Sequence, residues 1–409
     1  MLSGLKKKLN FKNPLMRDTA PILASTAFSQ AAVSTIYLLA ARALGPAAFG
    51  QTMTLIAIMN FITLGADFGQ NSYILREISS GRKTVADFAN QVHTKTIFAA
   101  IVALLIGGYL AITQSDPLIA VIVIFYCLLL SAEVALQAMV RWTAGARHYS
   151  RSVLIDKFAS LIVFGILLGI GQRSLYLVPF ALSCGSIAGI ISAQKSHKFE
   201  VTYKNVDTKL FRRSITNLKL SKSFGFYSFS TTMQNLDVAV LGKVSTAVEA
   251  GYYSAVSNWT KPLALIAASY TQASYPHLAA AADNATARKL LKSGRKILFF
   301  AIGYISLIIY FAPQLVNFLL GPEYASSVPV LRLMCLAMIP AAMNAPLSSF
   351  LQARLEQRYA AIVVFTGVVI QLATIFILGG NLGGQAGGYS WVAGQLFILI
   401  FLGWKVIRI

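Results

Sequence analysis

Leu118-Ile-Ala-Val-Ile-Val-Ile-Phe-Tyr-Cys-Leu-Leu-Leu-Ser-Ala-Glu-Val-Ala-Leu-Gln-Ala-Met-Val140 decides the fold. The stretch is long enough to cross a bilayer as a helix, which takes about 20 residues. Its one charged residue is Glu133. The weak apolar–polar alternation of an outer-membrane strand is missing, so a helix is expected. Similar runs precede it at 21–43, 47–68 and 96–114. Others follow at 152–172, 175–193, 224–243, 250–278, 297–319, 328–350, 358–379 and 385–404. By length these make about twelve spans. The expected fold is an all-α polytopic membrane protein.

Composition agrees. Of 409 residues, 56% are hydrophobic and only 12% charged. The charged share is half the roughly 25% of soluble domains. Mean hydropathy is +0.65. Thirty-five Lys and Arg against 14 Asp and Glu give a net charge of +21. In a soluble chain that balance would point to nucleic acid. Here the basic residues lie in short patches between apolar runs, so their reading is topological and no nucleic-acid partner is expected.

The loops alternate in charge. One side holds Lys6 to Arg17, Arg76 to Lys95, Arg141 to Arg151, Lys195 to Lys222, Arg288 to Lys296, Arg354, Arg358, Lys405 and Arg408. The other holds only Arg42, Arg173 and Lys243. Cytoplasmic loops collect Lys and Arg, so both termini are expected to be cytoplasmic. Lys6, Lys7, Lys8 and Lys12 imitate a signal peptide, but the apolar 21–43 is too long for one. It reads as an uncleaved first span. The basic stretch 194–223 is expected to lie on anionic headgroups. It divides the chain into a first lobe of six spans (1–193) and a second of six (224–409).

The two halves echo each other. Arg42-Ala-Leu-Gly-Pro-Ala-Ala-Phe-Gly50 joins the first pair of spans. Leu241-Gly-Lys-Val-Ser-Thr-Ala-Val-Glu-Ala-Gly-Tyr252 joins the seventh and eighth. Each has Leu-Gly before the turn and Gly beside an aromatic after it. Six helices separate them, which makes a pseudo-two-fold axis along the membrane normal.

Ionisable groups inside a span are costly, so each is a functional candidate. Asp67, in the second span, shares a face with Asn60 and Thr63. Asp237 lies in the seventh, with Ser230 and Gln234. Lys261 lies about 16 Å along the eighth, with Asn258 and Ser254 on its face. Thr26, Gln30, Ser34 and Tyr37 stripe the first span, which ends at Arg42. Asn344, Ser348 and Gln352 stripe the tenth, with Arg332 near its mouth. For Asp237 and Lys261, which have no opposite charge one turn away, a water-filled cavity is expected. Glu133, Gln137 and Arg141 form either an internally paired stripe or a site. Arg42 and Arg332 either line a mouth or anchor helix ends. Asp156 and Lys157 read as an interfacial pair at the edge of the fifth span. Kinks are expected at Pro276, Pro340 and Pro346, and Pro262 sits beside Lys261.

Cys127, Cys184 and Cys335 lie in apolar runs without metal-ligand spacing, so neither a disulfide nor a zinc site is expected. No Walker loop, GxSxG or HExxH is present, so neither an enzyme nor a cofactor is expected.

Several segments together resemble the Wzx-like polysaccharide transporters of the multidrug/oligosaccharidyl-lipid/polysaccharide (MOP) exporter superfamily. They are Leu39-Ala-Ala-Arg-Ala-Leu-Gly-Pro-Ala-Ala-Phe-Gly-Gln51, Gly65-Ala-Asp-Phe-Gly69 with Leu75-Arg-Glu-Ile78, Asn235-Leu-Asp-Val-Ala-Val-Leu-Gly242 with Ala250-Gly-Tyr-Tyr-Ser-Ala255, and Leu320-Gly-Pro-Glu-Tyr-Ala325 with Val328-Pro-Val-Leu-Arg332. The resemblance implies two six-helix lobes about a cavity lined by spans one, two, seven and eight. Those spans carry Arg42, Asp67, Asp237 and Lys261. It implies a flippase for polyprenyl-diphosphate-linked oligosaccharides, serving O-antigen or exopolysaccharide synthesis. Membrane lipids, a polysaccharide polymerase and chain-length machinery are the implied partners. Lys261 and Arg42 would draw the diphosphate, Asp67 and Asp237 would exchange protons, and Tyr37 would stack on sugar. Two rival readings are a drug or cation exporter of the same superfamily and a membrane polymerase or ligase.

Overall fold

The computed structural model describes residues 14–67, 69–70, 96–105, 107–108, 117–196, 216, 225–226, 229–230, 232–260, 295–354 and 356–409. Lys261, Pro262, Pro276, the loop 71–95 and nearly all of 194–223 lie outside the described residues. Every element described is helical. In order they are α1 (Pro14–Asp67), α2 (Thr96–Leu105), α3 (Pro117–Thr143), α4 (Ala146–Gly169) and α5 (Leu177–Lys195). Next come α6 (Asp237–Val244), α7 (Ala247–Thr260), α8 (Arg295–Tyr310) and α9 (Ala312–Leu319). The last are α10 (Val328–Ala353), α11 (Gln357–Leu382) and α12 (Gly384–Arg408). Among the described residues, seven helices are long and apolar enough to cross a membrane, or eight if one bent pair is a single span.

Helix α1 is two helices across a break at Gly45, where φ is 72°. Left-handed backbone costs glycine little. Pro46 follows, with its fixed φ already suited to a first helical turn. The Leu-Gly-Pro signal therefore marks a structural turn where two spans were expected to meet.

Prolines act unequally. Ile302–Tyr310 and Ala312–Leu319 meet at 71°, with Pro313 in the first turn of the second piece. By contrast, α10 continues as one helix through Pro340 and Pro346. Each proline removes one N–H bond. Between the two, Asn344 ties α10 to α12 through bonds of 3.0 and 2.8 Å to the backbone oxygen and Oε1 of Gln395. That crosslink holds the stretch against its neighbour.

The chain packs as two compact units. One is Met1–Ile36 with Ile62–Gly225, the other Tyr37–Phe61 with Phe226–Ile409. In the first, α4 and α5 approach through Gly185 and Gly189. A Cβ on Gly185 would overlap Ser160 Oγ and stand 2.6 Å from the Asp156 carbonyl oxygen. Small residues at this spacing let membrane helices touch backbone to side chain. In the second, α10, α11 and α12 share an apolar core around Phe350, Leu351, Val363, Ile398 and Leu402. Gln371 of α11 is buried inside this bundle, and neither amide atom has a hydrogen-bond partner among the described residues.

Near its end, α12 carries a belt of basic and aromatic groups. The Arg408 guanidinium lies 3.9 Å above the Trp404 ring. Lys405 pairs with Glu356 at 2.9 Å and lies 5.3 Å from the Tyr359 ring. Such groups gather at membrane–water boundaries.

Candidate functional site

Both halves of the sequence echo lie in the second unit, and they touch. A Cβ on Gly50 would overlap the Ala247 carbonyl oxygen and stand 2.7 Å from Gly251 N. A Cβ on Gly251 would overlap the Pro46 carbonyl oxygen. Pro46 and Gly50 stand one helical turn apart, as do Ala247 and Gly251. The contact is thus reciprocal, as at a two-fold axis. Nearby, the Tyr324 hydroxyl donates to the Ala41 carbonyl oxygen at 2.9 Å. Glu249 of α7 accepts the Gly384 N–H at 2.6 Å, setting a negative charge at the positive end of α12.

Deeper in the same unit lies Asp237. A short 3-10 stretch, Gln234–Leu236, precedes it, and such stretches inside helices often mark hinges. Asp237 is fully buried. Its Oδ2 accepts from the Tyr253 hydroxyl at 2.6 Å and from Trp391 Nε1 at 3.0 Å. Its Oδ1 accepts the Val238 N–H at 2.8 Å. Gly387 leaves room for the Tyr253 ring, which a Cβ there would meet at 2.5 Å. The expected water-filled surroundings are replaced by donors from α7 and α12, because a buried carboxylate needs such bonds.

The first unit holds a second acidic cluster. Glu133 is buried, and its Oε1 accepts from Gln137 at 2.7 Å. Asp156 is buried too and pairs with Lys157 at 2.5 Å. Both acids converge on Gly189, where a Cβ would lie 2.8 Å from Glu133 Oε1 and 3.0 Å from Asp156 Cβ. Two expectations change here. Arg141 turns to the Tyr149 ring, 5.8 Å away, instead of completing a stripe with Glu133. Asp156 does not start its helix, because α4 begins at Ala146 and Asp156 lies about 15 Å along it.

The remaining candidates divide between the two units. Arg42, Arg332 and Gln30 are exposed, whereas Tyr37 and Asp67 are half-buried. Asn258 turns back on its own helix, donating from Nδ2 to the Ser254 carbonyl oxygen at 2.9 Å. The Gln234 carbonyl accepts the Asp237 N–H. Gln30 and Asp67 belong to the first unit; Tyr37, Arg42, Gln234, Asp237, Asn258 and Arg332 belong to the second. Lys261 lies outside the described residues. Sequence reasoning did not single out Trp391, or Tyr253 as the partner of Asp237. Gly185 and Gly189 were the available signal for the acidic cluster, since small residues at that spacing mark a close helix contact.

An all-helical, multi-span chain with buried acids and a glycine-lined seam has the build of a membrane transporter. Solved structures share the fold. The lipid II flippase MurJ, in an inward closed conformation, matches with a TM-score of 0.72 and 14% identity over 94% of this chain and 87% of its own. An inward-facing multidrug resistance MATE family transporter of the MOP superfamily matches with a TM-score of 0.65 and 14% identity over 93% and 94%. A MATE in complex with MaL6 matches with a TM-score of 0.59 and 16% identity over 96% and 95%. The chain is an all-α polytopic membrane protein with the MOP transporter fold of about twelve helices. The family model described as "Polysaccharide biosynthesis protein" matches residues 15–282. The chain belongs to that family. No curated protein matches it in sequence.

Proposed function

We propose that the chain is a flippase that carries polyprenyl-diphosphate-linked oligosaccharide repeat units outward across the bacterial inner membrane. The reading rests on family membership, and the reciprocal seam of Gly50 and Gly251 carries its mechanism. Backbone packed on backbone closes one end of a path without a side chain in the way. Parting the seam opens that end, as alternating access requires. Lys261 and Arg42 attract the diphosphate, with Arg332 at the mouth. Gln30, Tyr37, Gln234 and Asn258 offer polar contacts to the sugars. Asp67 and Asp237 serve proton coupling, and the Glu133–Asp156–Lys157 cluster joins them. Two carboxylates against one ammonium reach neutrality by taking one proton. The basic loops put both termini in the cytoplasm, and a polymerase with its chain-length machinery receives the product as O-antigen or exopolysaccharide.

Gene deletion with a plasmid-borne copy, followed by extraction of lipid-linked intermediates, tests this. Repeat units should accumulate on the cytoplasmic face and surface polysaccharide should disappear. Complete units that reach the outer face but stay unjoined would instead indicate a polymerase or ligase. Untouched polysaccharide would end this substrate assignment.

A further inference from the structure

A cavity of about 420 Å³ lies between α4 and α5 of the first unit. His148 and Arg151 of α4 and Lys195 of α5 line it, with Ser192 between the helices. Below them its wall is apolar, formed in part by Ile155 and Ile191. Ile191 is 46% exposed, and Ile187, one turn further along α5, is 38% exposed.

We propose that this groove binds the phosphate headgroup of an anionic phospholipid, with an acyl chain lying along Ile155, Ile191 and Ile187. His148, Arg151 and Lys195 are exposed, and no described ion pair engages either Arg151 or Lys195. Among the described residues, the acids of this unit nearest in sequence to Arg151 are already engaged. Asp156 pairs with Lys157, and Glu133 accepts from Gln137. On this proposal the matching anion is the lipid phosphate. Arg151 stands about 8 Å from the start of α4, and on this proposal its long stem carries the charge to the water edge. Cations at that edge above an apolar track suit a lipid better than a free phosphate, which has no use for the track. The site does not depend on what the chain transports.

Native mass spectrometry on the full-length protein in detergent tests this, using phosphatidylglycerol, cardiolipin, phosphatidylethanolamine, inorganic phosphate and a polyprenyl diphosphate as probes. The wild type should retain the two anionic phospholipids and release the zwitterionic one. Two surface cations correspond to a loss of about 25-fold in affinity for an R151Q/K195Q protein. An R151K/K195R protein should keep most of the binding. Unchanged binding in the glutamine variant, or equal retention of phosphatidylethanolamine, overturns the site. Displacement by inorganic phosphate alone, or preference for the polyprenyl diphosphate, overturns the choice of ligand. If the glutamine variant does not fold, the wild type's choice between phosphatidylglycerol and phosphatidylethanolamine decides.

Discussion

Gly50 lies so close to Ala247 that no Cβ fits between its Cα and the Ala247 carbonyl oxygen. The neighbour is backbone, so no side chain can move aside. Gly50→Leu or Gly251→Leu should force the two turns apart at a cost of about 1–3 kcal/mol. Transport should fall at least tenfold at normal expression. A cysteine placed at Ala247 should be labelled faster by a membrane-impermeant maleimide in Gly50→Leu than in the parent. Equal labelling would show that the seam does not govern access.

Tyr253 and Trp391 hold the buried Asp237 from two other helices. Tyr253→Phe and Trp391→Phe should each lower stability by about 1–3 kcal/mol, the cost of stripping one bond from a buried charge. Gly387→Ala should act through the same network by pushing on the Tyr253 ring. Thermal unfolding in detergent measures all three. The expectation fails if Tyr253→Phe melts with the wild type.

Glu133→Gln removes one of two neighbouring acids and leaves the Asp156–Lys157 pair intact. Stability should be unchanged or raised, because like charges repel. Asp156→Asn leaves Lys157 without its partner and should cost about 2 kcal/mol, discounted because Lys157 is partly exposed. Under the proposed coupling, Glu133→Gln should also weaken the dependence of flipping on a pH gradient across vesicles. A fully retained dependence would remove this cluster from the coupling.

Gln371 has both amide atoms buried without a hydrogen-bond partner among the described residues. Gln371→Leu should therefore raise stability by about 1–2 kcal/mol, since an unmet buried amide is a penalty. A drop in melting temperature would mean that an unseen group meets that amide.

Much of the helical layout was legible from the residues. Long apolar runs announced α3, α4, α5, α10, α11 and α12, because a bilayer leaves little choice of structure for such runs. Leu44-Gly45-Pro46 announced the first turn through local backbone preference. Packing between distant segments was not legible. Nothing in the order of the chain shows that 37–61 packs with 226–409. Asp237 finds Trp391 more than a hundred residues away, and Glu133 meets Asp156 across a helix pair. Proline shows the same limit. Pro313 marks a break and Pro340 does not, although the local signal is the same, because neighbouring helices decide what the missing bond costs.

The belt near the end of α12 has one more consequence. Trp404 lies under Arg408, while Lys405 is held by Glu356 and Tyr359. Together they moor the adjoining ends of α11 and α12 at one depth and draw a waterline for the second unit. A body moored along such a line can tilt about it but cannot bob through it. Under the proposed flippase cycle, α11 and α12 are then the fixed reference against which other helices of the second unit move.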